Sequence, residues 1–204
     1  AVEQAEGPVL ILAGAGTGKT RTLIARFAYL IQENKAGLGN ILLVTFTNKA
    51  AHEMKERAHA ILQRPMGGSW IGTFHAICLR ILRTHADALE MSPNFSIIDM
   101  DDQLKLVKQI IQGEGLLDKS MSKQATYLMG RYADRGYLTG TDVPSSEPEA
   151  FRQFYDVYRK RLRNIHAFDF GGIILGVIEL LKTHPDIRIS YQNMFRYLMV
   201  DEYQ

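Results

Sequence analysis

The chain has 204 residues, of which 46% are hydrophobic and 23% charged, so its composition is that of a folded globular protein and not of a disordered one. The formal net charge of +2 does not by itself indicate a nucleic-acid-binding protein, so any basic binding surface must be local. The single cysteine, Cys78, excludes an internal disulfide. The longest apolar run, residues 170–178, is about half of the roughly 20 residues needed to cross a bilayer. This short run and the lack of a secretory signal predict a cytoplasmic protein without a membrane segment.

The first predicted element is a strand at residues 8–12. A glycine-rich turn follows it, and a long amphipathic pattern follows the turn. The turn predicts a phosphate-binding loop made of Ala13, Gly14, Ala15, Gly16, Thr17, Gly18, Lys19 and Thr20. Backbone N–H groups and the positive end of the next helix would surround a polyphosphate, while Lys19 would reach the β- and γ-phosphates and Thr20 would ligate Mg²⁺. Ala13 replaces the first glycine of the usual pattern. The alternative is a turn that binds nothing, which the strand–loop–helix context disfavours.

An amphipathic helix follows this loop, and a second strand-and-helix unit comes after it. The apolar residues of this first helix have the spacing of one buried stripe, namely Leu23, Ile24, Phe27, Leu30 and Ile31. Residues 41–44 predict a strand of a parallel sheet, and the polar residues at 45–49 predict the cap of the next helix. Phe46 lies where open α/β sheets bind ligands, although packing into the core is the commoner role of such a residue.

Residues 70–73 predict a third strand, which ends ahead of Phe74 and His75. A lone histidine at the opening turn of a helix is more often an ordinary hydrogen-bonded residue than a catalyst, so no acid–base role is assigned to His75. From about residue 83 to about residue 195, helical periodicity dominates and strand patterns nearly vanish. This change predicts a helical insertion.

Two groups of charged residues in the insertion have more than one interpretation. Asp99, Asp101 and Asp102 fit a helix N-cap with an acidic first turn better than they fit a metal site. A helix predicted at 147–165 carries basic residues that could meet phosphates: Arg152, Arg159, Lys160, Arg161 and Arg163. A solvated face is the commoner explanation for such a run of charges.

The last predicted element is an apolar strand at residues 197–200, and Asp201 and Glu202 follow it directly. In a chain that already has a phosphate loop, this pair predicts the second half of an NTPase site. Asp201 would hold the Mg²⁺ and Glu202 would polarise the water that attacks the γ-phosphate. The last strand must then return beside the first, so the helical insertion is an excursion out of the sheet.

Four segments, in order, resemble motifs I, Ia, Ib and II of superfamily 1 DNA helicases of the UvrD/Rep/PcrA type: AGAGTGKT, VTFTNKAAHEM, GTFHAICLRILR and LMVDEYQ. The resemblance covers essentially the whole chain. It implies an α/β fold of the P-loop NTPase (RecA-like) class, with a parallel sheet and a mainly helical inserted subdomain. The implied domains are an incomplete motor domain 1A at residues 1–83 and 196–204 and a subdomain 1B at residues 84–195. The chain is then interpreted as an N-terminal fragment that ends at motif II.

The resemblance also implies ATP and Mg²⁺ as cofactors and assigns roles to single residues. Lys19 and Thr20 would hold the triphosphate and Mg²⁺, Asp201 would hold Mg²⁺, Glu202 would be the base, and Arg21 would lie near the nucleotide. The residues along the single-stranded DNA path would be Thr45, Phe46, Thr47, Asn48, Lys49, Thr73, Phe74 and His75. In the family the position of Phe46 packs against a DNA base, which reverses its interpretation as a core residue.

The implied function is that of the N-terminal part of an ATP-dependent DNA helicase that translocates 3′ to 5′ on single-stranded DNA and unwinds duplex in repair or replication. The implied partners are single-stranded DNA and DNA junctions, with repair or replication proteins as further partners, and the fragment is expected to be monomeric. Because later motifs of the family supply the arginines that stabilise the transferring phosphoryl group, the fragment alone is expected to be inactive. One alternative is a nucleotide-dependent, single-stranded-DNA-binding module without motor activity. Another is a small-molecule kinase, against which Phe46 and residues 73–75 argue.

Overall fold

The structure of the chain is a computed structural model that describes residues 1–4, 6–14 and 16–202. Two compact units make up the chain, one formed by Ala1–Ile77 with Arg188–Gln204 and the other by Cys78–Ile187. In chain order the helices and strands are α1 (Lys19–Gln32), β1 (Ile41–Thr45), α2 (Asn48–Leu62), β2 (Trp70–Thr73), α3 (Phe74–Thr84), β3 (Ser96–Ile97), α4 (Met100–Glu114), α5 (Ser122–Asp134), α6 (Glu149–Asn164), β4 (Ala167–Phe168), α7 (Phe170–Thr183), α8 (Pro185–Met194) and β5 (Tyr197–Val200).

The first unit contains a parallel sheet of three strands in the order β2, β1, β5. In this register Thr45 lies opposite Thr73, and Val44 lies opposite Val200. Because the strands are parallel, their carboxyl ends meet at one edge of the sheet, where open α/β sheets bind ligands. The predicted parallel sheet and the strands predicted at 41–44, 70–73 and 197–200 are confirmed.

A helix covers the apolar side chains of this sheet. Ile24, Phe27 and Leu30 of α1 are almost completely buried, and they pack in one cluster with Leu43 of β1 and Met199 of β5. Complete burial of one such side chain is worth about 1.5–3 kcal/mol, so the periodic apolar positions of α1 fix which face of the helix meets the sheet. The stripe predicted for this helix is therefore confirmed.

The strand predicted at residues 8–12 is wrong, because this segment forms no strand. Its side chains are largely exposed, Leu10 by 69% and Leu12 by 87%. A cavity of about 1140 Å³ is lined by residues 6–13 on one side and by residues 196–202 on the other. A strand needs a neighbour for its ladder of hydrogen bonds, and the cavity separates this segment from β5. The expectation that the last strand lies beside the first is wrong for the same reason, since β5 pairs with β1.

Helices dominate the second unit, as predicted, and its only strands among the described residues are the short parallel pair β3 and β4. Its core is rich in aromatic side chains. Tyr132, Phe154, Tyr155 and Tyr158 are each 1% exposed or less and pack in one cluster with apolar residues of α4, α5 and α7. Burial of so much aromatic surface gives this unit a core of its own.

A buried carboxylate joins three helices of the second unit. Asp169 caps α7 by accepting a hydrogen bond from the N–H of Gly172 at 2.6 Å. Its other oxygen accepts from the Tyr158 hydroxyl at 2.6 Å and from Gln103 Nε2 at 3.1 Å. Burial raises the pKa of Tyr158, and the Asp169 carboxylate adds to the rise, so the phenol stays a donor. The buried carboxylate is thus satisfied on both oxygens, as a charge in a core must be.

One interpretation of charged groups in the insertion is confirmed, and a second is favoured by ion pairs. The Asp99 carboxylate accepts from the N–H of Asp102 at 2.9 Å and caps α4, as the capping interpretation predicts. On α6, three of the five basic residues are engaged in ion pairs, which are Arg152–Glu149, Arg159–Glu179 and Arg163–Glu179. These pairs favour the interpretation of the α6 charges as a structural and solvated face.

The apolar run at residues 170–178 belongs to α7, a helix of 14 residues. Ile173, Leu175 and Leu180 of this helix are buried in the second unit. Across the described parts of the chain, no helix combines the length and the apolar character that crossing a membrane requires.

Candidate functional site

Two glycines of the predicted phosphate loop adopt backbone angles that other residues rarely adopt. Gly16 and Gly18 have φ angles of 74° and 90°, in the left-handed region that side chains with a Cβ rarely adopt. Inside the loop, the Thr17 hydroxyl donates to the carbonyl of Gly14 at 2.7 Å. Ala15 lies outside the described residues. The loop is therefore a tight turn that only glycine at these two positions permits without strain.

The helix that follows the loop starts without a side-chain cap. Gly18 is the N-cap of α1 and has no side chain to cap the first N–H groups, and the first turn carries no acidic residue. Lys19 at the first helical position donates from Nζ to the carbonyl of Ala13 at 3.0 Å, across the loop. The exposed side chain of Arg21 folds back toward Gly18. A Cβ built onto Gly18 would lie 3.7 Å from the Nε of Arg21. A helix start without a side-chain cap, the helix dipole and two cations are features that favour an anion at such a terminus.

The carboxylates predicted at the end of the last strand lie beside this helix start. The N–H of Asp201 donates to the carbonyl of Val44 at 2.9 Å, which extends the pairing of β5 with β1 by one residue. Asp201 Oδ2 accepts a hydrogen bond from Thr20 Oγ1 at 3.5 Å. Glu202 is exposed and has a φ angle of 58°, so the chain turns sharply at the end of the strand. The fold thus brings together Thr20 and Asp201, which are far apart in sequence.

The electrostatics of this corner disfavour two neighbouring negative charges. Burial raises the pKa of the Asp201 carboxyl, and the charge of Glu202 raises it further. The hydrogen bond from Thr20 and the charge of Lys19 act in the opposite direction. A cation placed against Asp201 would relieve the repulsion between the two carboxylates.

The residues at this corner fit a magnesium ion. Adjacent oxygen ligands of one Mg²⁺ lie about 3 Å apart, as ligand distances of about 2.1 Å require, and the Thr20 and Asp201 oxygens are 3.5 Å apart. Among the described residues, no group of three His, Cys, Asp or Glu side chains could hold a metal ion. Because Mg²⁺ usually keeps several waters and binds through one or two protein oxygens plus phosphates, a hydroxyl and one carboxylate are a sufficient protein contribution.

Two aromatic residues follow the carboxyl ends of neighbouring strands. Thr45 and Thr73 are opposite each other at the ends of β1 and β2, and both are buried, with exposures of 2% and 9%. A phenylalanine directly follows each strand, and both rings are exposed, Phe46 by 82% and Phe74 by 46%. Exposure of two large apolar rings at a ligand-binding edge is typical of an interaction site.

The remaining predicted DNA-path residues lie at the first turns of two helices. The Thr47 hydroxyl accepts from the N–H of Ala50 at 3.1 Å and caps α2, as predicted. Asn48 and Lys49 are exposed beside it, and His75 at the start of α3 is half-buried. The strand order places this group next to β1 on the side away from β5. The predicted nucleotide and DNA residues therefore form two neighbouring groups along one edge of one sheet.

One buried arginine near the loop was not among the predicted site residues. Arg26 on α1 is 9% exposed and donates to the backbone carbonyl of Ala1 at 2.6 Å and to that of Gln4. The only sequence signal is a cation between Ile24 and Phe27, inside an otherwise apolar stripe. Such a position indicates a buried partner, but the sequence does not say which group it is.

Comparison with known proteins links the whole chain to one family of helicases. The family model described as "UvrD/REP helicase N-terminal domain" matches residues 1–204. The chain is 39% identical to the ATP-dependent DNA helicase PcrA of Bacillus subtilis strain 168 over 216 residues, and 38% identical to that of Staphylococcus aureus strain Mu50 over 208 residues. The PcrA of Leuconostoc citreum is 39% identical over 209 residues. Each alignment covers 100% of this chain, which spans 28% of the length of the relative.

Proposed function

Because the chain belongs to the UvrD/REP helicase N-terminal domain family, we propose that it forms the N-terminal part of an ATP-dependent DNA helicase. The observation that carries the proposal is the approach of Thr20 Oγ1 to Asp201 Oδ2 at 3.5 Å, beside the exposed Phe46 and Phe74. A phosphate loop, a carboxylate strand and an aromatic surface then share one edge of one sheet. Such an arrangement can couple a nucleotide to a nucleic-acid strand.

In the proposed site the triphosphate of ATP lies across the start of α1. The loop residues Ala13, Gly14, Ala15, Gly16, Thr17 and Gly18 surround the phosphates, and Lys19 leaves the Ala13 carbonyl to reach the β- and γ-phosphates. Arg21, which folds over Gly18, adds a positive charge at the same helix terminus. Glu202 orients and activates the attacking water as the general base.

Mg²⁺ is the proposed second cofactor, held by Thr20 and Asp201. When bound, it would neutralise negative charge on the triphosphate. The protein side of this site needs only the two oxygens that the fold brings together. Thr20 is fixed by α1, and Asp201 is fixed by its backbone bond to Val44.

We propose a RecA-like motor domain 1A at residues 1–83 and 196–204 and a subdomain 1B at residues 84–195. The parallel order β2, β1, β5 and the division of the chain near residues 77 and 187 support this assignment. The cavity of about 1140 Å³ between residues 6–13 and β5 supports it further, because a strand from the rest of the longer protein could occupy this space. Residues 8–12 would then gain the neighbour that they lack.

Single-stranded DNA is the proposed polymer substrate, and its path follows the ends of β1 and β2. Phe46 and Phe74 offer exposed rings for bases, and Asn48 and Lys49 offer polar and charged groups for the backbone. Thr47 and His75 border the same path. Thr45 and Thr73 are buried, so their proposed role is to hold the two aromatic positions side by side.

Replacing Phe46 by alanine is expected to weaken binding of single-stranded DNA by about 1–3 kcal/mol, the value of one stacked base. The ring is 82% exposed, so its removal leaves the core and the melting temperature unchanged. Fluorescence anisotropy with a labelled oligothymidine at low salt measures the change. Tyr127→Ala is the matched control, because Tyr127 is an aromatic residue that is 66% exposed on α5. Equal DNA affinity of Phe46→Ala and the unaltered chain would contradict the proposed path.

We propose that the longer protein translocates 3′ to 5′ on single-stranded DNA, unwinds duplex at junctions in repair or replication, and works in the cytoplasm with repair or replication proteins. The relatives named ATP-dependent DNA helicase PcrA support an ATP-driven reaction on DNA. The 204-residue chain itself is proposed to be a monomer. It is also proposed to lack motor activity, because it spans 28% of the length of those relatives.

We expect the 204-residue chain to bind Mg-ATP and single-stranded DNA at low salt but to hydrolyse ATP at least about 10³-fold more slowly than the longer protein. That factor is the low end of what a γ-phosphate-contacting arginine contributes in comparable NTPases. Steady-state ATPase assays with and without oligothymidine measure it. Robust DNA-stimulated turnover by the short chain would contradict the expected inactivity. Nucleotide-dependent DNA binding without turnover in the longer protein would favour the binding-module alternative.

A further inference from the structure

Arg26 is a buried cation whose described partners are backbone carbonyls. The residue is 9% exposed, and its Nη1 donates to the carbonyl oxygens of Ala1, at 2.6 Å, and of Gln4. Among the described residues, no carboxylate lies within ion-pairing distance of its guanidinium. Desolvating a guanidinium is costly unless its N–H groups find acceptors, so the two carbonyls account for its position.

The same face of α1 carries Arg26 and Lys19, the lysine of the proposed phosphate site. Lys19 and Arg26 are about two helical turns apart, and Lys19, Leu23 and Arg26 line the same cavity. The hydrogen bonds of Arg26 therefore tie residues 1–4 to the helix that presents Lys19 and Thr20. The phosphate loop lies between these two points of attachment.

The segment that leads into the loop has few other attachments. Residues 6–13 form no strand, and between them and the other described residues no backbone–backbone hydrogen bond is present. The carbonyl of Ala13 accepts from Lys19 Nζ, a contact that a bound phosphate would replace. Once Lys19 turns to a ligand, Arg26 is the described side chain that still fixes the amino-terminal end of this segment.

We propose that Arg26 is a positioning residue for nucleotide binding, which acts by anchoring residues 1–4 so that the phosphate loop is ordered before the nucleotide arrives. The inference rests on the proposed nucleotide-binding function of this loop. Arg26 itself does not touch the nucleotide. Its contribution is conformational, because a loop that is already ordered loses less entropy when the ligand binds.

The test compares Arg26→Gln with the unaltered 204-residue chain. The dissociation constant of a fluorescent ATP analogue with Mg²⁺ is expected to rise about tenfold, the size of effect expected when one charge-assisted hydrogen bond is lost. Arg26→Lys keeps the charge but not the planar fork, so an intermediate loss is expected. Arg57→Gln is the matched control, because Arg57 is 52% exposed on α2 and is paired with Glu53 at 3.6 Å. This control is expected to bind like the unaltered chain.

Hydrogen exchange without nucleotide separates anchoring from a general loss of stability. In Arg26→Gln, the amides of residues 6–14 are expected to exchange faster, while those of β1 keep their protection. Equal exchange at residues 6–14 and equal nucleotide affinity would overturn the inference, as would a uniform loss of protection that includes β1. If Arg26→Gln does not fold, Arg26→Lys decides by the same two measurements. If the unaltered chain binds no nucleotide, the proposed function fails, and the exchange data still decide whether Arg26 anchors the segment.

Discussion

Replacing Lys19 by alanine is expected to lower ATP turnover of the longer protein by at least about 10²–10³-fold, the cost of losing one preorganised charge-stabilising donor. Lys19 Nζ lies 3.0 Å from the Ala13 carbonyl, across the mouth of the loop, where the phosphates are proposed to bind. The other cation at this terminus, Arg21, lies against Gly18, so we expect it not to replace the charge of Lys19 across the loop. Steady-state ATPase assays with saturating single-stranded DNA measure the loss.

The same variant separates the two halves of the proposed site. Binding of single-stranded DNA at low salt should remain, because Phe46 and Phe74 lie on neighbouring strand ends and not on α1. Lys108→Ala is the matched control, since Lys108 is exposed on α4 in the second unit. Normal turnover by Lys19→Ala would refute the assignment of the phosphate loop.

The strands of the sheet could be predicted from the sequence because their signals are local. The runs at 41–44, 70–73 and 197–200 are short and apolar, as strands of a buried parallel sheet must be. The caps were equally local, since Thr47 and Asp99 need only an N–H three residues ahead. Patterns that depend on one stretch of chain are therefore sufficient to place these elements.

Residues 8–12 show that a local sequence pattern does not determine whether a segment pairs as a strand. The segment has the composition of a strand, but a strand exists only when a neighbour completes its ladder of hydrogen bonds. In this fold β5 pairs with β1, and open space separates β5 from the segment. Because strand partners are set by tertiary structure, the sequence of these five residues could not show whether the ladder forms.

The site residues were predictable to different degrees. The glycine spacing of the loop and the acidic pair after an apolar strand are specific in combination, so the approach of Thr20 and Asp201 could be anticipated. The usual burial of phenylalanine favoured a core position for Phe46, and only the resemblance to helicases indicated an exposed ring. In the structure the ring is 82% exposed. Arg26 could not be assigned a partner, because the carbonyls that it binds are backbone groups and carry no residue-type signal.

The second large effect is expected at Glu202. Changing it to glutamine keeps the shape of the side chain but removes the base, so the turnover number for ATP should fall by about 10²–10⁴-fold. Nucleotide affinity should be unchanged, because the structure assigns the contact with Thr20 to Asp201 and leaves Glu202 exposed beyond the strand end. Single-turnover ATP hydrolysis in the longer protein, together with equilibrium binding of a fluorescent ATP analogue, separates the two quantities.

Asp201→Asn is the matched change for this experiment, since it alters the neighbouring carboxylate in the same way. Asp201 lies against Thr20 at 3.5 Å and is the proposed Mg²⁺ ligand. The side-chain amide of the Asp201→Asn variant should therefore raise the Mg²⁺ concentration needed for tight nucleotide binding. Glu202→Gln should leave that concentration unchanged and slow only the chemical step. If both variants shift the Mg²⁺ requirement equally, the two carboxylates share the ion and the division into ligand and base is wrong. If Glu202→Gln hydrolyses ATP at the normal rate, the base is another group.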